Sequence, residues 1–142
     1  MASERERNQE IIDEFRANGG NVGGHFEGRT LLLLHHFGAR SGAERVNPLM
    51  YLPVDGSYAV FGTNSGHPNH PGWYHNLLAH PSATVEVGTV AFDVLARQAE
   101  GEERELIWSR QVEVAPAFAE LQAKTSRRIP VMVLQPRERA AV

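Results

Sequence analysis

The sequence predicts a mainly β protein, an antiparallel β-barrel with peripheral helices, in one domain spanning residues 1–142. Three observations carry that prediction. At least six short apolar segments read as strands. Two pairs of them are joined by two-residue hairpin signals, Asp55-Gly56 and Gly88-Thr89. Successive strands also lack the crossover helices that parallel pairing needs, so they pair antiparallel. Closing such a sheet on itself removes its exposed edges.

Each element has its own warrant. Ser3 with Glu6 forms a capping box, and Ile11, Ile12 and Phe15 give the helix one apolar face before Gly19-Gly20 stops it. The run Asn18-Gly-Gly-Asn-Val-Gly-Gly24 reads as a flexible joint, since only one helix precedes it. Residues 31–37 are an apolar run suited to a strand buried on both faces. Strands over 46–54 and 57–64 flank Asp55-Gly56, whose turn positions require φ > 0. Pro71 precedes a short helix around 73–79, which ends before Pro81. Residues 83–87 alternate apolar with polar, and after the turn Val90, Phe92 and Val94 alternate with Ala91, Asp93 and Leu95, as hairpin strands do. A helix over 102–112 has an acidic first turn that suits the helix dipole, and Pro116 opens another through Phe118 and Leu121 to Lys124. A last strand, 131–134, begins after Pro130, where a strand tolerates proline.

Composition bounds the function. With 14 Lys+Arg against 17 Asp+Glu the net charge is −3, which gives no electrostatic footprint for nucleic acid. No apolar run approaches the roughly 20 residues of a membrane span, and the polar start does not read as a secretory signal. A cytoplasmic protein is expected. The absence of cysteine removes disulfides, thiolate nucleophiles and Cys-ligated zinc. Between Val46 and Val85 the only Asp, Glu, Lys or Arg is Asp55, so this segment is either core or the wall of a site that excludes stray charge.

The seven histidines do not make a metal centre. His75 and His80, five apart, share no helical face, and His35 and His36 point to opposite sides of a strand. Between Val46 and Val85, the segment that holds His67, His70, His75 and His80, the only carboxylate is the turn residue Asp55, so no metal is expected. Gly62-Thr-Asn-Ser-Gly66 places its serine one position late for a nucleophile elbow. Neither a P-loop nor a Gly-x-Gly-x-x-Gly fingerprint occurs. What remains is the turn from Gly38 to Leu49, where Arg40 and Arg45 flank glycine and Ser41. Backbone N–H groups, a hydroxyl and two guanidinium forks together suit a phosphate or carboxylate. An ordinary solvated turn accounts for the same residues, and the pattern alone leaves both open. In Pro71-Gly-Trp-Tyr-His-Asn76, Trp73 either plugs the barrel end or helps the helix N-terminus receive a planar ligand or phosphate.

These pieces, in this order, resemble the deazaflavin (coenzyme F420)-dependent nitroreductase and quinone reductase family. The blocks are Arg40-Ser-Gly-x-x-Arg45-Val-Asn-Pro-Leu49, Pro71-Gly-Trp-Tyr-His-Asn-Leu77, Ala79-His-Pro81 and Glu102-Glu-Arg104. Trp108, Ala115-Pro-Ala-Phe118 and Thr125-Ser-Arg-Arg-Ile-Pro-Val131 complete the set. The resemblance runs from about residue 28 to 136. It implies a split β-barrel of the flavin-binding oxidase type, and an oxidoreductase passing hydride from reduced coenzyme F420 to a quinone, a conjugated enone or lactone, or a nitro compound. It also implies site residues. Arg40, Ser41, Arg45, Val46 and Asn47 would grip the coenzyme's phosphate and oligoglutamate tail. Pro48, Met50, Phe61, Gly62, Thr63 and Asn64 would pass along the ring, with Gly72, Trp73, Tyr74, His75 and Asn76 closing the other side. Met50, Tyr51, Ala115, Phe118 and Leu121 would line the substrate pocket, dry enough for flat apolar or aromatic acceptors. Ala39 and Asn64 stand where the family often carries a basic residue and a lysine, which bears on tail affinity.

No catalytic side chain is identified; Tyr51, Thr63 or water would supply the substrate proton. An FMN-dependent oxidoreductase on the same barrel and a non-catalytic coenzyme carrier are the alternatives. The barrel edges leave room for pairing into a homodimer.

Overall fold

The structure, a computed structural model, describes residues 3–24 and 30–137. Among these residues seven strands form one sheet: β1 (Leu31–Phe37), β2 (Glu44–Met50), β3 (Leu52–Val54), β4 (Ser57–Phe61), β5 (Ser82–Val87), β6 (Val90–Gln98) and β7 (Val131–Pro136). Their order is β2-β1-β5-β6-β7-β4-β3, and every pairing is antiparallel. The two outer strands, β2 and β3, are separated in the chain by Tyr51 alone. A strand residue advances the chain only about 3.3 Å, so the two ends of the sheet lie side by side and the sheet curls into a barrel wall. The expected single strand over 46–54 is therefore broken at Tyr51, where the chain leaves β1 and joins β4.

Alternation along the strands sorts their side chains. Leu32, Leu34, Val60, Val85, Val94, Met132 and Leu134 fill the interior. The helix α2 (Gly72–Ala79) adds Trp73, Tyr74 and Leu77 to them. Outside, Ile12 and Phe15 of α1 (Glu4–Ala17) pack with Val22 against Leu31 and Leu33. That double covering explains the unbroken apolar run at the start of β1, where burying each leucine contributes about 1.5–3 kcal/mol. On the other flank, α3 (Gly101–Val114) and α4 (Ala117–Ala123) bring Ile107 and Phe118 onto Ala59, Phe61, Val131 and Val133.

The local signals operate as their chemistry requires. Ser3 Oγ accepts from the Glu6 N–H at 3.1 Å. Asp55 and Gly56 take φ values of 47° and 79° in the β3–β4 hairpin. The glycine run after α1 packs closely as well as turning: a Cβ on Gly20, whose φ is 101°, would lie 2.9 Å from Gly88 Cα. β4 stops at Phe61 rather than at residue 64. Asn64, Ser65 and Gly66 have φ of 45°, 56° and 77°, which an extended strand does not accommodate.

Candidate functional site

The β1–β2 turn is closed from within. Gly38 N–H donates to Ala43 O at 2.8 Å, Gly42 N–H donates to Gly38 O at 2.9 Å, and Ala43 N–H donates to Ser41 Oγ at 3.2 Å. Arg40 and Arg45 flank this turn, both exposed. Among the described residues neither pairs with a carboxylate. Glu44, between them, turns instead to His35 Nδ1 at 2.9 Å. The turn thus presents two uncommitted guanidinium forks, a donor set suited to an anion.

Behind it, His36 is buried, 1% exposed. Its Nε2 lies 2.7 Å from Asn47 Oδ1 on β2, and its Nδ1 lies 3.0 Å from Asn76 Nδ2 on α2. Asn76 Oδ1 in turn accepts from the Ala39 N–H at 2.8 Å. Burial pushes the His36 ring below the ordinary histidine range, and Arg45 and His35 add to the effect, while the bond to Asn47 opposes it. Sequence reasoning placed both asparagines in the site and missed the histidine that joins them. The expected opposite facing of His35 and His36 holds, since His35 points outward to Glu44 and Glu86.

The loop after β4 is held by Arg127. Its guanidinium donates to Gly62 O at 2.9 Å, Thr63 O at 2.7 Å and His67 O at 3.0 Å, and lies 3.1 Å from His70 Nδ1. Gly62 N–H donates to Pro130 O at 2.9 Å. A Cβ on Gly62 would approach Pro130 Cγ to 2.7 Å, so only glycine passes there. Asn64 Nδ2 donates to Asn69 O at 2.9 Å, spending the side chain within the loop. Burial, then Arg127 and His75, lower the His70 ring below its ordinary range. Arg127 escaped the sequence reading although its block, 125–131, belongs to the resemblance.

The expected site residues divide between two faces. Arg45 and Asn47 stand opposite His36 and Leu34 on the interior face of β2, whereas Val46, Pro48 and Met50 occupy the reverse. Phe61, Phe118 and Trp108 form a ring cluster with centroids 5.6, 6.1 and 6.3 Å apart, joined by Ala115, Leu121 and Met50. Tyr51 is not among them; it packs edge-on to Tyr58 at 5.1 Å in the interior cluster. Trp73 and Tyr74 are also turned inward, 6% and 9% exposed, with Tyr74 OH donating to Gln98 Oε1 at 2.9 Å. Gly72 and His75 remain exposed on α2.

Among the described residues no group of three or more His, Asp or Glu converges as metal ligands would. A concavity of about 300 Å³ lined by Gln98, Gly101, Arg104, Arg128 and Pro130 contains none of the site residues expected from the sequence. Its arginines already pair with Glu105, so it offers less to an anion than the open turn does.

Comparison with known proteins bears on this arrangement. Residues 7–136 match the family model described as F420H(2)-dependent quinone reductase. An F420H(2)-dependent quinone reductase of Mycobacterium tuberculosis is 34% identical over 124 residues, 84% of this chain and 83% of its own length. The solved structure of an F420-H2 dependent reductase, FDR-A, is 42% identical with a TM-score of 0.69, covering 75% of this chain and 95% of that one. A second structure, described as a domain-swapped dimer, is 38% identical with a TM-score of 0.70, covering 92% and 96%.

Proposed function

Because the chain belongs to the F420H(2)-dependent quinone reductase family, an oxidoreductase family with reduced coenzyme F420 as hydride donor, we propose that the coenzyme lies across edge strand β2. Its anionic tail sits on the Arg40–Arg45 turn, and its ring lies beside the cluster of Phe61 and Phe118. The observation that carries this reading is the pair of arginines at one end of β2, without a carboxylate partner among the described residues, with the apolar ring cluster reached from its far face. When bound, the reduced coenzyme supplies the hydride taken up by the quinone.

The chain's own residues then do three things. Arg40 and Arg45 bind the tail by charge-assisted hydrogen bonds, with the Ser41 hydroxyl beside them. Met50, Phe61, Ala115, Phe118 and Leu121 exclude water and orient a flat acceptor. The loop Gly62–Asn64, pinned by Arg127, sets the edge along which the ring lies. Tyr51 packs in the interior cluster, so Thr63 Oγ1 or water delivers the proton to the reduced acceptor. Quinones are the acceptor class that the pocket suits, with enones, lactones and nitro compounds as further electron-poor candidates. We further propose a homodimer, supported by the 38% identical structure described as a domain-swapped dimer.

The test mixes the purified protein with reduced F420 and menadione, a coumarin-type lactone or a nitroarene, and follows deazaflavin absorbance. Saturable oxidation with menadione is expected. Rates equal to a protein-free blank for every acceptor would refute the reading.

A further inference from the structure

We propose that His36 is a positioning residue for the coenzyme: kept neutral with its proton on Nε2, it fixes the amides of Asn47 and Asn76 and, through Asn76, the backbone of the Arg40 turn. The inference rests on the reading that this turn holds the coenzyme's tail.

The polarity of the whole chain follows from one unambiguous donor. The Ala39 backbone N–H can only donate, so the Asn76 atom 2.8 Å from it is the carbonyl Oδ1. Asn76 Nδ2 then faces His36 Nδ1 at 3.0 Å and donates, which makes Nδ1 an acceptor. The ring proton is therefore on Nε2, donated to Asn47 Oδ1 at 2.7 Å. Asn47 is left with both N–H groups of Nδ2 to offer, on the strand face that also carries Arg45.

A second proton on the ring breaks this chain. Nδ1–H would oppose the Nδ2 of Asn76. Rotating that amide would satisfy the ring but set Nδ2 against the Ala39 N–H, donor to donor. Either way the tie between α2 and the turn is lost. The groups around the ring disfavour that proton: Arg45 stands directly across on β2, His35 precedes it on β1, and α2 faces it with the uncharged Asn76. A buried histidine with both ring nitrogens committed to asparagines of the proposed site is more than core filling.

Two substitutions divide the ring's functions. In His36→Asn the side-chain oxygen takes the place of Nδ1 and still accepts from Asn76. In His36→Gln the side-chain nitrogen takes the place of Nε2 and still donates to Asn47. Neither titrates. The experiment follows ring and Ala39 amide NMR signals, together with the dissociation constant for F420, from pH 8 to 5, in wild type, both variants and Arg40→Ala/Arg45→Ala. We expect the Nε2–H tautomer at pH 7, an Ala39 amide signal that moves as the ring titrates, and about tenfold weaker F420 binding once it has. Both variants should lose that pH dependence relative to wild type, and His36→Gln should bind several-fold more weakly at pH 7 than His36→Asn. An Nδ1–H tautomer, or an Ala39 signal indifferent to ring titration, would overturn the proposal. So would identical F420 binding by wild type and both variants at every pH. If the arginine double variant still binds weakly in that last case, only the role of His36 falls. If it too binds like wild type, the reading of the turn falls with it.

Discussion

Arg127 and Arg128 are adjacent and chemically identical, yet they do opposite things. Arg128 reaches outward to Glu105, while Arg127 gathers three carbonyls and a histidine nitrogen from the single loop 62–70. A peptide unit is planar, so turning the Thr63 carbonyl onto the guanidinium turns the Asn64 N–H the opposite way. Of the loop's three consecutive left-handed residues, Asn64 and Ser65 are strained positions that persist only where surrounding bonds over-determine them. Hydrogen bonds to a charged donor contribute about 1.5–3 kcal/mol each and are not additive within one cluster. Arg127→Ala is therefore expected to cost about 2–4 kcal/mol, lowering Tm by roughly 5–12 °C for a chain of this size. It should also expose the loop to limited proteolysis, with Arg127→Lys intermediate. A melt within a degree or two of wild type would show that the loop holds itself. Nothing in the sequence tells Arg127 from Arg128, because the partners lie about sixty residues away in the chain. His36 was illegible for the same reason: strand alternation gave its direction, but not the asparagine forty residues on that meets it.

At the scale of elements, α1 is held to the sheet by apolar contacts and by the Arg16–Glu86 ion pair, whose pH dependence has a definite sign. Arg16 donates to both oxygens of Glu86 on β5, at 3.1 and 2.7 Å, and His35 Nε2 lies 2.5 Å from the same carboxylate. The Arg16 hydrogen bonds, then that of His35, hold the Glu86 carboxyl below the usual carboxylate range against an opposing cost of burial. Its folded-state value is depressed, so the stabilisation is present above the unfolded value of about 4.3 and is lost as pH falls through and below it. Arg16 is 48% exposed, so solvent limits the contribution to about 1 kcal/mol or less. Glu86→Gln should lower Tm at pH 7 by up to a few degrees and shrink the loss of Tm between pH 5 and pH 3. Parallel Tm curves for wild type and variant would contradict the assignment. The capping box, the Asp55-Gly56 hairpin and the double-faced β1 were all legible, since each is set by neighbours in the chain. The break at Tyr51 was not. Residues 46–54 look like one strand, and only closure of the sheet forces the chain to change partners there.

For the molecule as a whole, one topological fact underlies the proposed site. The first and last strands of the sheet are joined through Tyr51, so the edge of β2 lies beside β3 and β4. The charged turn at one end of β2 is thereby brought into line with the apolar cluster under α3 and α4. The sequence blocks marked most of these residues but not how they divide between the faces of β2, because that division depends on the register with β1. The most direct test of the account is the dissociation constant of F420 for wild type and Arg40→Ala/Arg45→Ala at low and high salt. Each charge-assisted bond is worth on the order of 1.5–3 kcal/mol, so the double variant should bind at least tenfold more weakly with an unchanged Tm. Added salt should weaken wild type more than the variant. Equal affinity of the two proteins at low salt would contradict the placement of the coenzyme on this turn.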